Sequence, residues 1–159
     1  MAARGLEDLL SEDERDRAAR LRFERDRRRF VVARARLREL LGRRLGMRPE
    51  AVAIVYGAQG KPALARGELR FNLAHSGELA LYAFSRACEV GVDLEEIRAL
   101  PEARPGFLRR WTRREALAKG LGSGLAAPWP GRGALAGWRI ESFRPAPGFI
   151  AALASKELE

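Results

Sequence analysis

Apolar positions in the first third of the chain recur at intervals of three and four. Phe30, Ala33, Leu37, Leu40, Leu41 and Leu45 follow this spacing, which predicts a helix with one buried stripe. Ahead of it, Ser11-Glu12-Asp13-Glu14 reads as a capping box: the Ser hydroxyl accepts a backbone N–H and Glu14 reaches back to the cap. A helix is therefore expected from near residue 12, with a break or bend in the charged stretch Arg25 to Arg29. Gly46 suits a helix stop, and Pro49 suits the first position of a short turn or helix. Beyond this point the period shortens. Ala51–Tyr56, Arg70–His75, Leu79–Ser85 and Glu89–Glu95 read as strands, with a turn at Ser76-Gly77. The short connections favour an antiparallel meander. Pro101, Pro105 and Gly106 then mark a loop, and Leu108–Leu121 reads as a helix stopped by Gly120 and Gly122. After a Gly- and Pro-rich stretch from Ser123 to Gly137, two strands are expected at Trp138–Phe143 and Phe149–Ala154.

Composition narrows what such a chain can be. A hydrophobic fraction of 47% with 32% charged residues describes a folded chain with its own core. Runs such as Leu79–Phe84 and Phe149–Ala154 fall far short of the roughly 20 residues needed to cross a bilayer. Met1 to Arg20 has no apolar signal segment. Cys88 is the only cysteine and His75 the only histidine, which excludes an intrachain disulfide and the usual zinc sites. The expectation is one domain, 1–159, cytoplasmic, monomeric and without a membrane segment. The net charge of +9 has several readings: nucleic acid, an acidic protein partner or a phosphorylated small molecule. No zinc-finger spacing, aromatic RNA-binding signature or lysine-rich run supports nucleic acid, which ranks last.

Four groups of residues could carry chemistry. Asp93 and Glu95 lie two apart on one strand, so both point to one face with Cα atoms roughly 6.6 Å apart. Two such carboxylates repel unless a cation or proton intervenes, and magnesium suits them because it takes few carboxylates and completes its shell with water and phosphate oxygens. A solvated strand face is the plainer reading of the same pair. Glu115 and Lys119 lie one helical turn apart and could be an ordinary surface pair. Lysine, however, occurs only at Lys61, Lys119 and Lys156 among 30 basic residues. Its use here hints that a compact, flexible point charge is wanted. Gly60-Lys61-Pro62 places a second lysine on a loop between strands, and His75 stands at a strand end.

The order of these groups is more informative than any one of them. Gly-Lys-Pro at 60–62, Phe-Asn-Leu-Ala-His-Ser-Gly at 71–77, Val-Gly-Val-Asp-Leu-Glu at 90–95 and Trp-Thr-Arg-Arg-Glu-Ala-Leu-Ala-Lys at 111–119 together resemble the surfactin-synthetase-activating type of 4′-phosphopantetheinyl transferase. The likeness extends from about Leu10 to Ala154. It implies an α+β fold of pseudo-two-fold halves, about 1–98 and 99–159, each with a small antiparallel sheet packed on a helix. Coenzyme A would lie between the halves. The implied reaction moves 4′-phosphopantetheine from coenzyme A to a serine of an apo acyl or peptidyl carrier protein and needs Mg2+. By position, Asp93, Glu95 and Glu115 would hold the metal, with Glu115 the base, directly or through a metal-bound water, and Lys119 neutralising the transferred phosphate. Arg17, Lys61, Pro62, His75 and Lys119 would contact coenzyme A. Carrier proteins of this kind are acidic, which gives the +9 charge a partner.

This chain departs from that pattern in three ways. It has Arg114 where the family usually has Lys before its Glu, and Ala74 where many relatives have Ser or Thr. The N-terminal strand and the helical segment usual before the Trp helix are missing, with only Ile97–Phe107 bridging the second gap. A shortened relative that binds coenzyme A without transferring is therefore a second expectation.

Overall fold

The 22 residues of Glu24–Leu45 form the longest helix, α3, preceded by α1 (Arg4–Glu7) and α2 (Glu12–Ala19) in a computed structural model that describes residues 4–97, 105–124 and 132–158. The chain divides into two compact units, Met1–Ala53 and Ile54–Glu159.

In the first unit the helix starts are set by local chemistry. Ser11 caps α2, and its N–H donates to Glu14 Oε2 at 3.2 Å. The chain bends ahead of Phe23, so the expected break lies before Arg25–Arg29, and those residues instead belong to the first turns of α3. Acidic Glu24 and Asp26 occupy the first turn and Arg43 and Arg44 the last, complementing the helix dipole. Gly46 ends the helix with φ 68°, a left-handed turn that glycine adopts without steric cost. The buried stripe is wider than the periodicity suggested, for Val31, Arg34, Ala35 and Arg38 are buried beside Ala33, Leu37 and Leu41. Val31 and Ala35 pack with Leu6 of α1, Ala18 of α2 and Leu10 of the connection between them. Pro49–Ala51 forms a 3-10 turn, which shortens the strand expected from Ala51 to Ile54–Tyr56.

The second unit is built from β1 (Ile54–Tyr56), β2 (Pro62–Leu64), β3 (Arg70–Ser76), β4 (Leu79–Ser85), β5 (Cys88–Glu96), α4 (Pro105–Leu121), α5 (Arg132–Leu135), β6 (Arg139–Phe143) and β7 (Phe149–Glu157). Pro62 is therefore the first residue of a short strand, paired with Tyr56, and not part of a loop. β3 and β4 form the expected hairpin, with Ser76 opposite Leu79. The third strand of the expected meander goes elsewhere: β5 pairs antiparallel with β7 in a sheet ordered β5-β7-β6. The reason lies in its burial, since all five positions from Val90 to Leu94 are buried. Both faces must then be covered, and a place beside β4 in one half-solvated sheet would cover only one. Val92 and Leu94 pack on Ala74 and the apolar residues of β4, while the Gly91 face lies against α4. A Cβ on Gly91 would collide with the Ala116 carbonyl and the Gly120 backbone. Gly120 lies inside the helix and not at its stop. A Cβ there would reach the Trp138 ring at 2.6 Å, so this glycine permits close packing, and Gly122 at φ +70° follows the helix end. Pro105 and Gly106, expected in a loop, open α4, where the missing proline N–H costs nothing. The expectation at Pro101 falls outside the described residues.

Candidate functional site

Strand alternation sends residues 91, 93 and 95 of β5 to the face that α4 covers. Because Gly91 has no side chain, the helix can approach closely. On α4 the positions Leu108, Thr112, Glu115, Ala116 and Gly120 recur at helical spacing, and all five are buried. This face brings Glu115 and Lys119 to the strand that carries Asp93 and Glu95. Lys119 Nζ donates to Asp93 Oδ1 at 2.6 Å. Lys119 thus pairs across to the strand, and Glu115, 6% exposed, is no surface residue. Nor is the Asp93–Glu95 face a solvated one, since Asp93 is 5% exposed.

All three acids are harder to ionise than usual. Burial raises the Asp93 carboxyl, and the Lys119 ammonium only partly offsets it. Glu95 is raised by burial and then by the Asp93 charge, against hydrogen bonds from Ser76 and Trp111. Glu115 is raised by burial and again by Asp93, with Lys119 and Arg114 acting in the opposite sense. The mutual repulsion shows that the strand and helix acids feel one another's charge. Asp93 Oδ2 is buried without a hydrogen-bond partner. Hard oxygen donors, an orphaned carboxylate oxygen and an excess of negative charge fit a magnesium-type ion. Among the described residues, however, no group of three or more His, Cys, Asp or Glu side chains is arranged to hold a metal.

Several supporting residues carry no signal of their own in the sequence. Ser76 Oγ accepts the Glu96 N–H at 3.0 Å and lies 3.4 Å from Glu95 Oε2. Buried Asn72 accepts the Val92 N–H through Oδ1 at 2.9 Å, tying β3 to β5 although the two share no sheet. A polar residue between Phe71 and Leu73 was the only hint of that role. Trp111, which reads as a packing residue, is 38% exposed, stacks on Phe107 and bonds to Glu95.

The remaining expected residues have the following surroundings. Lys61 Nζ donates to the Gly120 carbonyl at 2.6 Å and to Glu89 at 3.1 Å, so it caps the C-terminal end of α4. His75 is exposed, on the β3 face opposite Ala74 and Ser76. Pro62 is half-buried in β2. Arg17 belongs to the first unit, where its guanidinium lies 5.6 Å from the centroid of the Phe30 ring. No helix among the described residues is long and apolar enough to cross a membrane.

Comparison with known proteins points the same way as the geometry. Residues 4–87 match a family model described as 4′-phosphopantetheinyl transferase, N-terminal. The chain is similar to the 4′-phosphopantetheinyl transferase HetI of a Nostoc species, 38% identical over 152 residues, covering 76% of this chain and 64% of HetI. It is also similar to the 4′-phosphopantetheinyl transferase AcpT of Salmonella typhi, 38% identical over 110 residues, covering 54% of this chain and 56% of AcpT. A Thraustochytrium phosphopantetheinyl transferase is 34% identical over 92 residues, covering 56% of this chain and 32% of its own. The chain thus spans less than two thirds of the length of these relatives.

Proposed function

Because the chain belongs to the 4′-phosphopantetheinyl transferase family, we propose that it moves 4′-phosphopantetheine from coenzyme A to a serine of an apo acyl or peptidyl carrier protein. The observation that carries this reading is the facing of Asp93 and Glu95 on β5 toward Glu115 and Lys119 on α4. Four motifs in the order of the surfactin-synthetase-activating type support that subtype. The pseudo-two-fold plan, with halves of about 1–98 and 99–159, is part of the same proposal.

In the reaction the serine Oγ forms a bond to the phosphorus that carries pantetheine. The bond from that phosphorus to the bridging oxygen breaks, and adenosine 3′,5′-bisphosphate leaves. The serine proton needs an acceptor. Glu115 is the proposed acceptor, directly or through a water. Lys119 supplies an ammonium on a flexible stem that can follow the phosphate charge. Asp93, Glu95 and Glu115 would hold Mg2+, which when bound neutralises charge on the diphosphate. Ser76 and Trp111 orient Glu95. Arg17, Lys61, Pro62 and His75 are proposed contacts of coenzyme A. The test is to incubate the protein with coenzyme A, Mg2+ and apo carriers and weigh the carrier. A mass gain of one phosphopantetheine is expected, and unchanged mass across several carriers refutes transfer.

A second reading is a coenzyme A-binding relative that does not transfer, favoured by the few residues, Ile97 to Phe107, between the Asp-x-Glu strand and the Trp helix. It predicts coenzyme A binding with no change in carrier mass.

A further inference from the structure

We propose, resting on the metal-assisted reading above, that Lys119 is a resident counter-ion. It holds Asp93 in place of a divalent ion until a phosphate-bearing ligand draws it away, so that metal and diphosphate binding are coupled through one lysine.

The argument begins with the two oxygens of Asp93. Oδ1 accepts the Lys119 ammonium at 2.6 Å, while Oδ2 is buried without a hydrogen-bond partner. A divalent ion arriving at this carboxylate therefore competes with a cation already seated on it. The two partners differ in freedom. The Asp93 side chain is 7% exposed and fixed in the strand, whereas that of Lys119 is 29% exposed at the end of a four-carbon stem. The ammonium is the partner that can leave.

Leaving has a cost, because the 2.6 Å pair between the ammonium and Asp93 Oδ1 is broken. With Lys119 on Asp93 the four groups carry a formal charge of minus two if all three acids ionise. With Lys119 drawn to a phosphate the acids present minus three to the incoming ion. A bound diphosphate thus removes the competitor and strengthens the field that attracts the metal. Thermodynamic linkage makes the coupling reciprocal, so the metal also tightens the diphosphate. An arginine would serve less well, since its fork holds a carboxylate in two-point geometry. In a chain with only three lysines, a lysine stands at 119.

The test uses the full chain and Mn2+ as the probe, followed by calorimetry or electron paramagnetic resonance, with and without coenzyme A. In the absence of coenzyme A, Lys119→Met is expected to bind Mn2+ about tenfold more tightly than wild type. Added coenzyme A should tighten Mn2+ binding more in wild type than in the variant. Equal or weaker Mn2+ binding by Lys119→Met without coenzyme A overturns the proposal.

Should Lys119→Met fold poorly, wild type gives an independent reading. With three lysines the side-chain ammonium spectrum is simple, and the Lys119 signal, identified by its loss in Lys119→Arg, should shift when coenzyme A and Mg2+ are added. An unmoved signal overturns the proposal as well. Failure of the underlying reading looks different: Asp93→Asn would then bind Mn2+ as wild type does, which refutes a metal at these acids altogether.

Discussion

Each unit buries one ion cluster, and the two are opposites in charge balance. In the first, a single carboxylate, Glu14, meets two guanidiniums: Arg38 Nε at 2.5 Å and Arg34 Nε at 3.8 Å. Arg38 also donates to the Val52 carbonyl at 3.0 Å, and both side chains are 2% exposed or less. In the second, Lys119 pairs with Asp93 and acts on Glu95 and Glu115 only through its charge, and its side chain is 29% exposed. Glu14 Oε1, like Asp93 Oδ2, is buried without a hydrogen-bond partner, so the clusters differ in charge balance: the first has one acid between two cations and serves to join elements. A cluster with more acid than base is repulsive within itself, and an added cation would relieve it. The likeness of the two pairs in kind, and their difference in balance, separates structure from chemistry.

Breaking the first cluster should have the largest effect on stability. Arg38→Met leaves buried Glu14 with only the more distant Arg34 guanidinium and the Ser11 N–H and is expected to cost about 3 kcal/mol, read from the urea midpoint of the full chain. A loss below about 1 kcal/mol would mean the cluster is not structural. Asp93→Asn and Glu115→Gln should behave in the opposite way. Transfer to a carrier is expected to fall at least about 100-fold, while stability at neutral pH holds or rises because repulsion is relieved. If either variant unfolds the chain while sparing transfer in the folded fraction, the contrast fails.

The same surplus sets the sign of the pH dependence. The folded-state carboxyls lie above the ordinary 3.8 for Asp93 and 4.5 for Glu95 and Glu115. The native chain therefore binds more protons than the unfolded chain across that window. Their contribution to stability is present below 3.8–4.5 and is lost as pH rises through the raised values. Urea titrations from acid to neutral pH should show this decline, and Asp93→Asn should flatten it. A rise over the same window that Asp93→Asn leaves unchanged would contradict the assignment. The smallest effect is expected from Lys61→Met, about 0.5–1 kcal/mol, since Glu89 keeps Arg70 at 2.7 Å. If coenzyme A affinity falls by more than that loss explains, Lys61 contacts the ligand as well as the helix end.

Short-range pattern foretold much of this molecule. Period-two alternation placed Asp93 and Glu95 on one face, and helical spacing placed Glu115 above Lys119. The left-handed stop at Gly46 and the Ser76-Gly77 turn were equally local. What could not be read were partners distant along the chain. Nothing near Glu14 announces that it faces Arg38, 24 residues on. Nothing in Cys88–Glu96 says that its neighbour is Phe149–Glu157 and not Leu79–Ser85. Gly120 reads as a stop and Gly91 carries no signal, because their use becomes visible only once helix and strand are packed together. Lys61 likewise needed α4 in place before it could be seen as a cap.

The claim that strand and helix acids act on one ion can be tested by paramagnetic broadening of backbone amide signals on adding Mn2+ with coenzyme A. Signals around Asp93–Glu95 and around Glu115–Lys119 should fade together at the lowest Mn2+ concentrations, in wild type but not in Asp93→Asn. Broadening confined to the strand, or spread over other surface carboxylates while α4 stays sharp, would contradict the account.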